Sequence, residues 1–331
     1  MNRRDVLLVV FALLVGVGWL ARGRFRAWSL GQLRRIRRGS RRIRTANGTI
    51  EYQQVGDGAV VLLVHGAPGG YDAWRMYTPL MEAGYSLLSP SRPGYLRTPL
   101  RSGRTFTRQA DLLIALMDTL AIETAAVVGF SMGGPVALDL AHRYPHRINK
   151  LVLQSALTHL YALDDPLEEM LVGTSWLPRR TQGMLFWLSH RLLRYFPRAA
   201  ARNLLWASYS GPDEQGCMEA LFESPTQRRA LQAIMDSGVP LNHRQRGYDN
   251  DLQQLHQLQW TPLEHIHIPV LVLHSRYDAS VPVRHATYAH EHLPHSQLAL
   301  IEGCGHFTFM GREGKTAMQT VVEFLGHTEQ V

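Results

Sequence analysis

Ala125-Ala126-Val127-Val128-Gly129-Phe130-Ser131-Met132-Gly133-Gly134 is the stretch on which the reading of this chain turns. An apolar run, Ala125–Val128, meets a glycine-flanked turn, and Pro135-Val136-Ala137-Leu138-Asp139-Leu140-Ala141 follows with helical character. Strand, tight turn and helix are the context that a G-x-S-x-G nucleophile elbow requires. The spacing has a steric reason. The serine sits on a strained turn at positive φ, and small residues two before and two after let strand and helix approach closely. Its hydroxyl then stands above the sheet edge, at the positive end of the following helix, where a developing oxyanion is stabilised. A glycine-rich turn with an incidental serine would look the same, so the elbow needs partners elsewhere.

Acyl transfer requires a base to activate the serine, an acid to orient the base, and two donors for the oxyanion. The acid and base should follow the serine in chain order, in loops behind late strands. Asp278 stands just past the apolar run Val270–His274, within Ser275-Arg276-Tyr277-Asp278-Ala279-Ser280-Val281-Pro282. His306 stands just past Gln297–Ile301, within Glu302-Gly303-Cys304-Gly305-His306-Phe307. Open α/β sheets place their sites at such strand ends. Asp249 and Asp251 are the alternative acids, but they precede the strand. The expected oxyanion donors are the backbone N–H groups of Met132 and of Ala67, in the loop His65-Gly66-Ala67-Pro68-Gly69-Gly70. Pro68 has no N–H to give, and His65 is expected to brace that loop. His265 and His267 alternate on an extended segment without a carboxylate set and read as structural, so no metal site is expected. No Walker-type loop exists, and Gly129–Gly134 lacks the acidic residue that a dinucleotide fingerprint carries.

Read in order, the chain alternates. Arg41–Ala46 and Thr49–Val55 flank Asn47-Gly48 as a hairpin with a type I′ turn. Ala59–Val64 and Tyr85–Leu88 read as strands buried on both faces. Trp74–Ala83 and Thr107–Leu120 read as helices, the second from Leu112, Leu113, Leu116, Met117 and Leu120. Leu151–Leu153 is a further strand. From 156 to 267 no strand-like run appears, only helical patterns at Leu167–Val172, Met184–Tyr195, Ala199–Ser208, Met218–Phe222 and Arg228–Met235. Alternation resumes with the strand Val270–His274, a helix over Val283–His292, the strand Gln297–Ile301 and a last helix over Lys315–Leu325. Alternating strands and helices imply a parallel sheet with right-handed crossovers. An insertion of roughly a hundred residues is too long for a loop and reads as a helical lid.

Together HGAPGG (65–70), SRPGY (91–95), GFSMGG (129–134), SRYDASVP (275–282) and GCGHF (303–307) resemble the α/β-hydrolase family over about residues 45–327. The resemblance implies the α/β-hydrolase fold, a mostly parallel eight-stranded sheet flanked by helices, with a helical lid inserted after the sixth strand. It also implies a cofactor-free Ser131–Asp278–His306 triad with oxyanion donors Ala67 and Met132. A serine at 131 departs from the haloalkane dehalogenase and epoxide hydrolase branches, which use aspartate there. HGAPGG is similar to the HGGPGG loop of proline iminopeptidases, but those enzymes usually follow the serine with tryptophan, where this chain has Met132. The expected activity is therefore that of a serine esterase on a hydrophobic carboxylic ester. An iminopeptidase-like aminopeptidase, using lid carboxylates among Asp164, Asp165, Glu168 and Glu169, and a catalytically silent membrane-tethered binding protein are the alternatives. Trp176, Phe186, Trp187 and Trp206 fit either an apolar pocket or the lid's own core.

Charge is unevenly spread. Residues 1–44 hold 12 of the 35 basic side chains and one acid, about +11, which leaves the remainder mildly acidic at about −3. That distribution argues against nucleic acid as partner of the main domain. Val6–Ala21 is an uncharged run of 16 residues between Arg3-Arg4 and an arginine-rich stretch. It reads as a single membrane anchor, short against the roughly 20 residues a bilayer needs. The basic run 34–44 would then lie on anionic headgroups, and the heavier C-terminal positive flank would leave the catalytic domain cytoplasmic. A cleaved signal peptide exporting the domain and a segment lying on the membrane surface are the alternatives. Domains are accordingly expected at 1–44 (anchor and basic linker), 45–155 (first part of the core), 156–267 (lid) and 268–331 (second part). Cys217 and Cys304, too few for a disulfide framework, read as small buried hydrophobes.

Overall fold

The computed structural model describes residues 3–159, 183–184, 187–188, 191, 195–223, 225–255 and 260–326. Eight strands form one sheet: β1 (Arg41–Thr45), β2 (Gly48–Val55), β3 (Val60–Val64), β4 (Ser86–Ser91), β5 (Ala125–Phe130), β6 (Ile148–Gln154), β7 (Val270–Ser275) and β8 (Ser296–Ile301). Their spatial order is β1-β2-β4-β3-β5-β6-β7-β8. Only the β1–β2 and β2–β4 pairings are antiparallel; every pairing from β4 to β8 is parallel. The expected α/β-hydrolase fold, mostly parallel, is therefore present.

Among the described residues the named helices are α1 (Arg3–Arg38), α2 (Thr78–Glu82), α3 (Phe106–Thr119), α4 (Gly134–Arg143), α5 (Pro197–Ser208), α6 (Glu214–Glu223), α7 (Pro225–Ser237), α8 (Gln245–Leu255), α9 (Arg284–His292) and α10 (Gly314–Gly326). Side chains alternate across a strand, so one run feeds two cores. Leu62 and Val64 of β3 pack with Leu113, Leu116 and Leu138 on one face. Val61 and Leu63 pack with Leu80, Val321 and, from the insertion, Leu205 and Leu221 on the other. Each such leucine or valine stabilises the fold by about 1.5–3 kcal/mol on burial. Thr105 caps α3 by accepting the Arg108 N–H at 3.2 Å.

Several expectations need correction. The hairpin exists, but Thr45 pairs with Gly48, so its loop is Ala46-Asn47 rather than Asn47-Gly48. Neither loop residue has positive φ, so the turn is not type I′; Gly48, at φ 134, opens the second strand instead. The Thr45 hydroxyl, which accepts from Asn47 N–H and donates to Gly48 O, draws the turn one residue early. Tyr71–Tyr77 is a 3-10 segment, and the α-helix starts only at Thr78, with Pro79 in its first turn. Helix α8 was not anticipated, because its apolar positions, Tyr248, Leu252 and Leu255, are sparse in a polar run. Cys217 and Cys304 are not separate hydrophobes: they form a disulfide, Cα–Cα 5.6 Å. The expected helix Leu167–Val172 lies outside the described residues.

The membrane anchor is also overturned. Among the described residues no helix is long and apolar enough to cross a membrane. The uncharged run is one part of α1, which continues unbroken through Arg22, Arg24, Arg26 and Arg34 to Arg38. At 1.5 Å per residue that run rises only about 24 Å, short of a bilayer's hydrocarbon core. The far end of α1 packs on protein instead. Ile36 is buried and its carbonyl accepts from the Tyr71 hydroxyl at 3.1 Å, while Phe25 meets the Trp187 ring edge-on at 5.9 Å. The transmembrane reading falls, and with it the cytoplasmic placement derived from it. β1, which follows α1, is a sheet edge with Arg41, Arg42 and Arg44 exposed.

Candidate active site

Ser131 has φ 52 and directly follows β5 as the first residue of the 3-10 turn that leads into α4. Positive φ is costly for a non-glycine residue, and the surrounding packing over-determines it. A Cβ on Gly66 would come within 2.8 Å of Ser131 Cβ, and one on Gly133 within 2.1 Å of Val64 O. Only glycine at both positions lets the β3 loop close on the elbow. That contact brings Gly66-Ala67 beside Ser131. Met132 is buried directly after it, and no described hydrogen bond uses the backbone N–H of Ala67 or Met132.

Asp278 and His306 stand together. The Asp278 side chain is fully buried, and Oδ1 accepts from the N–H groups of Ser280 and Val281, each at 2.8 Å. Oδ2 faces His306 Nδ1 at 2.8 Å. With its proton on Nδ1, the imidazole keeps Nε2 as an acceptor. The His306 ring lies 5.1 Å from that of Phe130, the residue before the elbow serine. A direct Ser131–His306 hydrogen bond is not among the described contacts; such bonds often tighten only with substrate bound.

His274, which the sequence reading passed over, adds a second imidazole: Nε2 lies 2.8 Å from Val281 O and 3.4 Å from Asp278 Oδ2. Its signal was a lone histidine inside an otherwise apolar strand. Burial lowers its pKa, the Asp278 charge opposing that fall. His65 does brace its loop. Its Nδ1 lies 2.7 Å from Gly66 O and its Nε2 accepts the Arg92 N–H at 2.9 Å, which fixes a neutral ring protonated on Nδ1. Burial first, and then the Arg92 charge, hold its pKa well below 6.5.

These two rings predict a pH dependence of stability. Both pKa values are lower in the fold than in the unfolded chain, so the native state binds fewer protons below the unfolded value. Stability is complete above about pH 6.5 and falls as the pH drops beneath it, each ring adding a slope approaching about 1.4 kcal/mol per pH unit. Urea midpoints measured at pH 7.5 and pH 5.5 should show the loss. A His65→Gln protein with the same pH slope as wild type would contradict the assignment for that ring.

The alternative acids are accounted for otherwise. Asp251 is buried against the Arg92 guanidinium, with NH1 at 3.0 Å from Oδ1, and accepts the Tyr95 hydroxyl at 2.6 Å. Burial raises its carboxyl, and Arg92 works against that rise. Asp249 accepts from Gln245 one turn away. Asp164, Asp165, Glu168, Glu169, Trp176 and Phe186 lie outside the described residues, as does the Trp206 side chain. Trp187 is buried and touches Phe25 of α1. His265 stacks on His142 and His267 meets His295 edge-on. Among the described residues no group of three or more His, Cys, Asp or Glu side chains is arranged to hold a metal ion.

Comparison with known proteins follows this geometry. The family model for the alpha/beta hydrolase fold matches residues 59–313. A curated relative, the uncharacterized hydrolase YcgS of Bacillus subtilis, is 31% identical over 281 residues, covering 84% of this chain and 95% of its own. The pimeloyl-[acyl-carrier protein] methyl ester esterase of Aromatoleum aromaticum is 28% identical over 265 residues, covering 76% and 92%. Among solved structures, an alpha/beta hydrolase fold protein from Nakamurella multipartita superposes with a TM-score of 0.74 at 29% identity, covering 86% of this chain and 98% of its own. A β5 elbow, a parallel sheet and a family match across most of its length make one assignment: this chain belongs to the α/β-hydrolase family and is a hydrolase of that superfamily.

Proposed function

We propose that the protein is a serine hydrolase that cleaves a carboxylic ester through an acyl-enzyme. Ser131 attacks the ester carbonyl as His306 Nε2 takes its proton. The Ala67 and Met132 N–H groups hold the oxyanion, and His306 returns the proton to the departing alcohol. Water then attacks the acyl-enzyme by the same route in reverse. Asp278 keeps the imidazole in the Nδ1–H tautomer and stabilises the imidazolium as it forms. Residues 156–267 act as a lid over the site and shape the acyl pocket.

The observation that carries this reading is the His306 Nδ1 to Asp278 Oδ2 contact of 2.8 Å, in the loops behind β8 and β7, on the same sheet edge as the φ 52 serine. The second Asp278 oxygen is tied down by two backbone N–H groups, so the acid is preorganised rather than adventitious. The ester preference is supported by the activity for which the Aromatoleum relative is named and by Met132 where an iminopeptidase-like site would carry tryptophan.

A fluorophosphonate probe should form a stoichiometric adduct that peptide mass mapping places on Ser131. A chain-length series of p-nitrophenyl esters should be turned over, while proline-naphthylamide is left intact. Preferential cleavage of the naphthylamide would replace the esterase with an aminopeptidase. An unlabelled, inactive protein would leave a binding function on this fold.

A further inference from the structure

Helix α5 ends between the two loops that carry Asp278 and His306. Ser208, its buried last residue, offers one carbonyl to both: it accepts from Ala279 N–H at 3.2 Å and from His306 N–H at 3.0 Å. Tyr209 forms an isolated antiparallel bridge with Asp278, and Ser210 N–H donates to Tyr277 O at 3.0 Å. The base loop is built to admit this carbonyl. Gly305 has φ 81, and a Cβ there would lie 2.1 Å from Ser208 O.

The grip has a second, covalent part. Cys217, in α6, is disulfide-bonded to Cys304, two residues before His306. The segment between the two grips is held locally. Tyr209 Oη accepts from Asp213 N–H at 3.1 Å, and Asp213 accepts from the N–H groups of Gly216 at 2.8 Å and Cys217 at 3.1 Å. Residues 208–217 therefore hold the 303–306 loop at both ends, by a hydrogen bond at His306 and a covalent bond at Cys304.

We propose that Ser208–Cys217 is a positioning clamp for the Asp278–His306 pair, and that the Cys217–Cys304 disulfide makes this clamp respond to thiol reductants. The proposal rests on reading Asp278 and His306 as acid and base. The step is thiol–disulfide exchange with a dithiol. One thiolate attacks Sγ of Cys217, the less buried of the two residues, the Cys217–Cys304 bond breaks, and Cys304 leaves as a thiolate that takes up a proton. The reductant's second thiol then displaces Cys217 as a thiol, so the reductant is oxidised to a cyclic disulfide and two cysteines are reduced. The Ser208 hydrogen bonds alone then hold the base loop. Displacement of a catalytic group by a fraction of an ångström costs turnover rather than binding.

The test uses the full chain, oxidised, with p-nitrophenyl butyrate as substrate. Dithiothreitol should lower kcat about tenfold with KM within twofold, since about 1 Å of misplacement can cost 10²-fold. The far-downfield proton resonance of the His306 Nδ1–H···Asp278 bond should broaden or vanish. Reoxidation should restore both. Cys217→Ser, which lies outside the base loop, should start at the reduced value and ignore dithiothreitol. The proposal is overturned if the reduced protein, with two thiols titrated after denaturation, keeps its kcat and its downfield proton. It is equally overturned if reduction lowers only Tm, the behaviour of a purely stabilising crosslink, or if Cys217→Ser matches the oxidised wild type. Should ester turnover be absent altogether, the proton resonance still reads the clamp, so failure of the esterase reading and failure of the clamp are distinguishable.

Discussion

Ser131→Ala should lower kcat for p-nitrophenyl butyrate by roughly 10⁴- to 10⁶-fold with little change in KM, because members of a catalytic triad act as a unit. The substitution is unusually clean here. Alanine keeps the Cβ against which Gly66 packs, and at φ 52 it bears the same backbone strain as serine. The thermal midpoint should therefore stay near wild type, and the downfield His306 proton should persist. Only the hydroxyl proposed to attack is removed. A variant that retained wild-type hydrolysis would remove Ser131 from the mechanism, and one that lost its Tm as well would implicate the hydroxyl in folding.

Asp251→Ala carries the largest expected loss of stability, about 3–5 kcal/mol, the range for stranding one member of a buried ion pair. Both side chains are fully buried, and Asp251 answers the Arg92 guanidinium through both of its oxygens. Without the carboxylate, Arg92 keeps only His65 O and Gln109 Oε1 as acceptors, and the Tyr95 hydroxyl loses its acceptor too. Replacing the pair together, Arg92→Met with Asp251→Leu, should cost far less, because no charge is left unpaired. Urea denaturation of the two variants measures the contrast. Equal losses would mean that packing volume, not the unpaired charge, sets the cost.

The parts of the fold that can be read from a linear pattern were read from it. Val60–Val64 and Val270–Leu273 are continuous apolar runs because both faces of those strands are covered. Asp278 and His306 were candidates because each stands a few residues past a strand, and the fold sets them 2.8 Å apart. What escaped depends on contacts distant in sequence. Arg92 and Asp251 meet across 159 positions, and neither betrays the other locally. The Cys217–Cys304 pairing spans 87 residues, and two cysteines alone do not announce it. Ser208 acts through a carbonyl that every residue possesses, so no residue type could mark it. Helix α8 was hidden by its polarity, since Asp251 and Asn250 are buried by partners rather than by apolar character. The N-terminal run was misjudged for the opposite reason: hydropathy was visible, but the docking of Ile36 and Phe25 on the rest of the chain was not.

The arginine-studded first strand has a bearing on how copies of this molecule meet. A sheet edge with an open ladder of N–H and C=O groups is a template for polymerisation, and an incoming identical ladder would bring its own cations against Arg41, Arg42 and Arg44. Self-repulsion at that rim disfavours pairing of β1 with its twin.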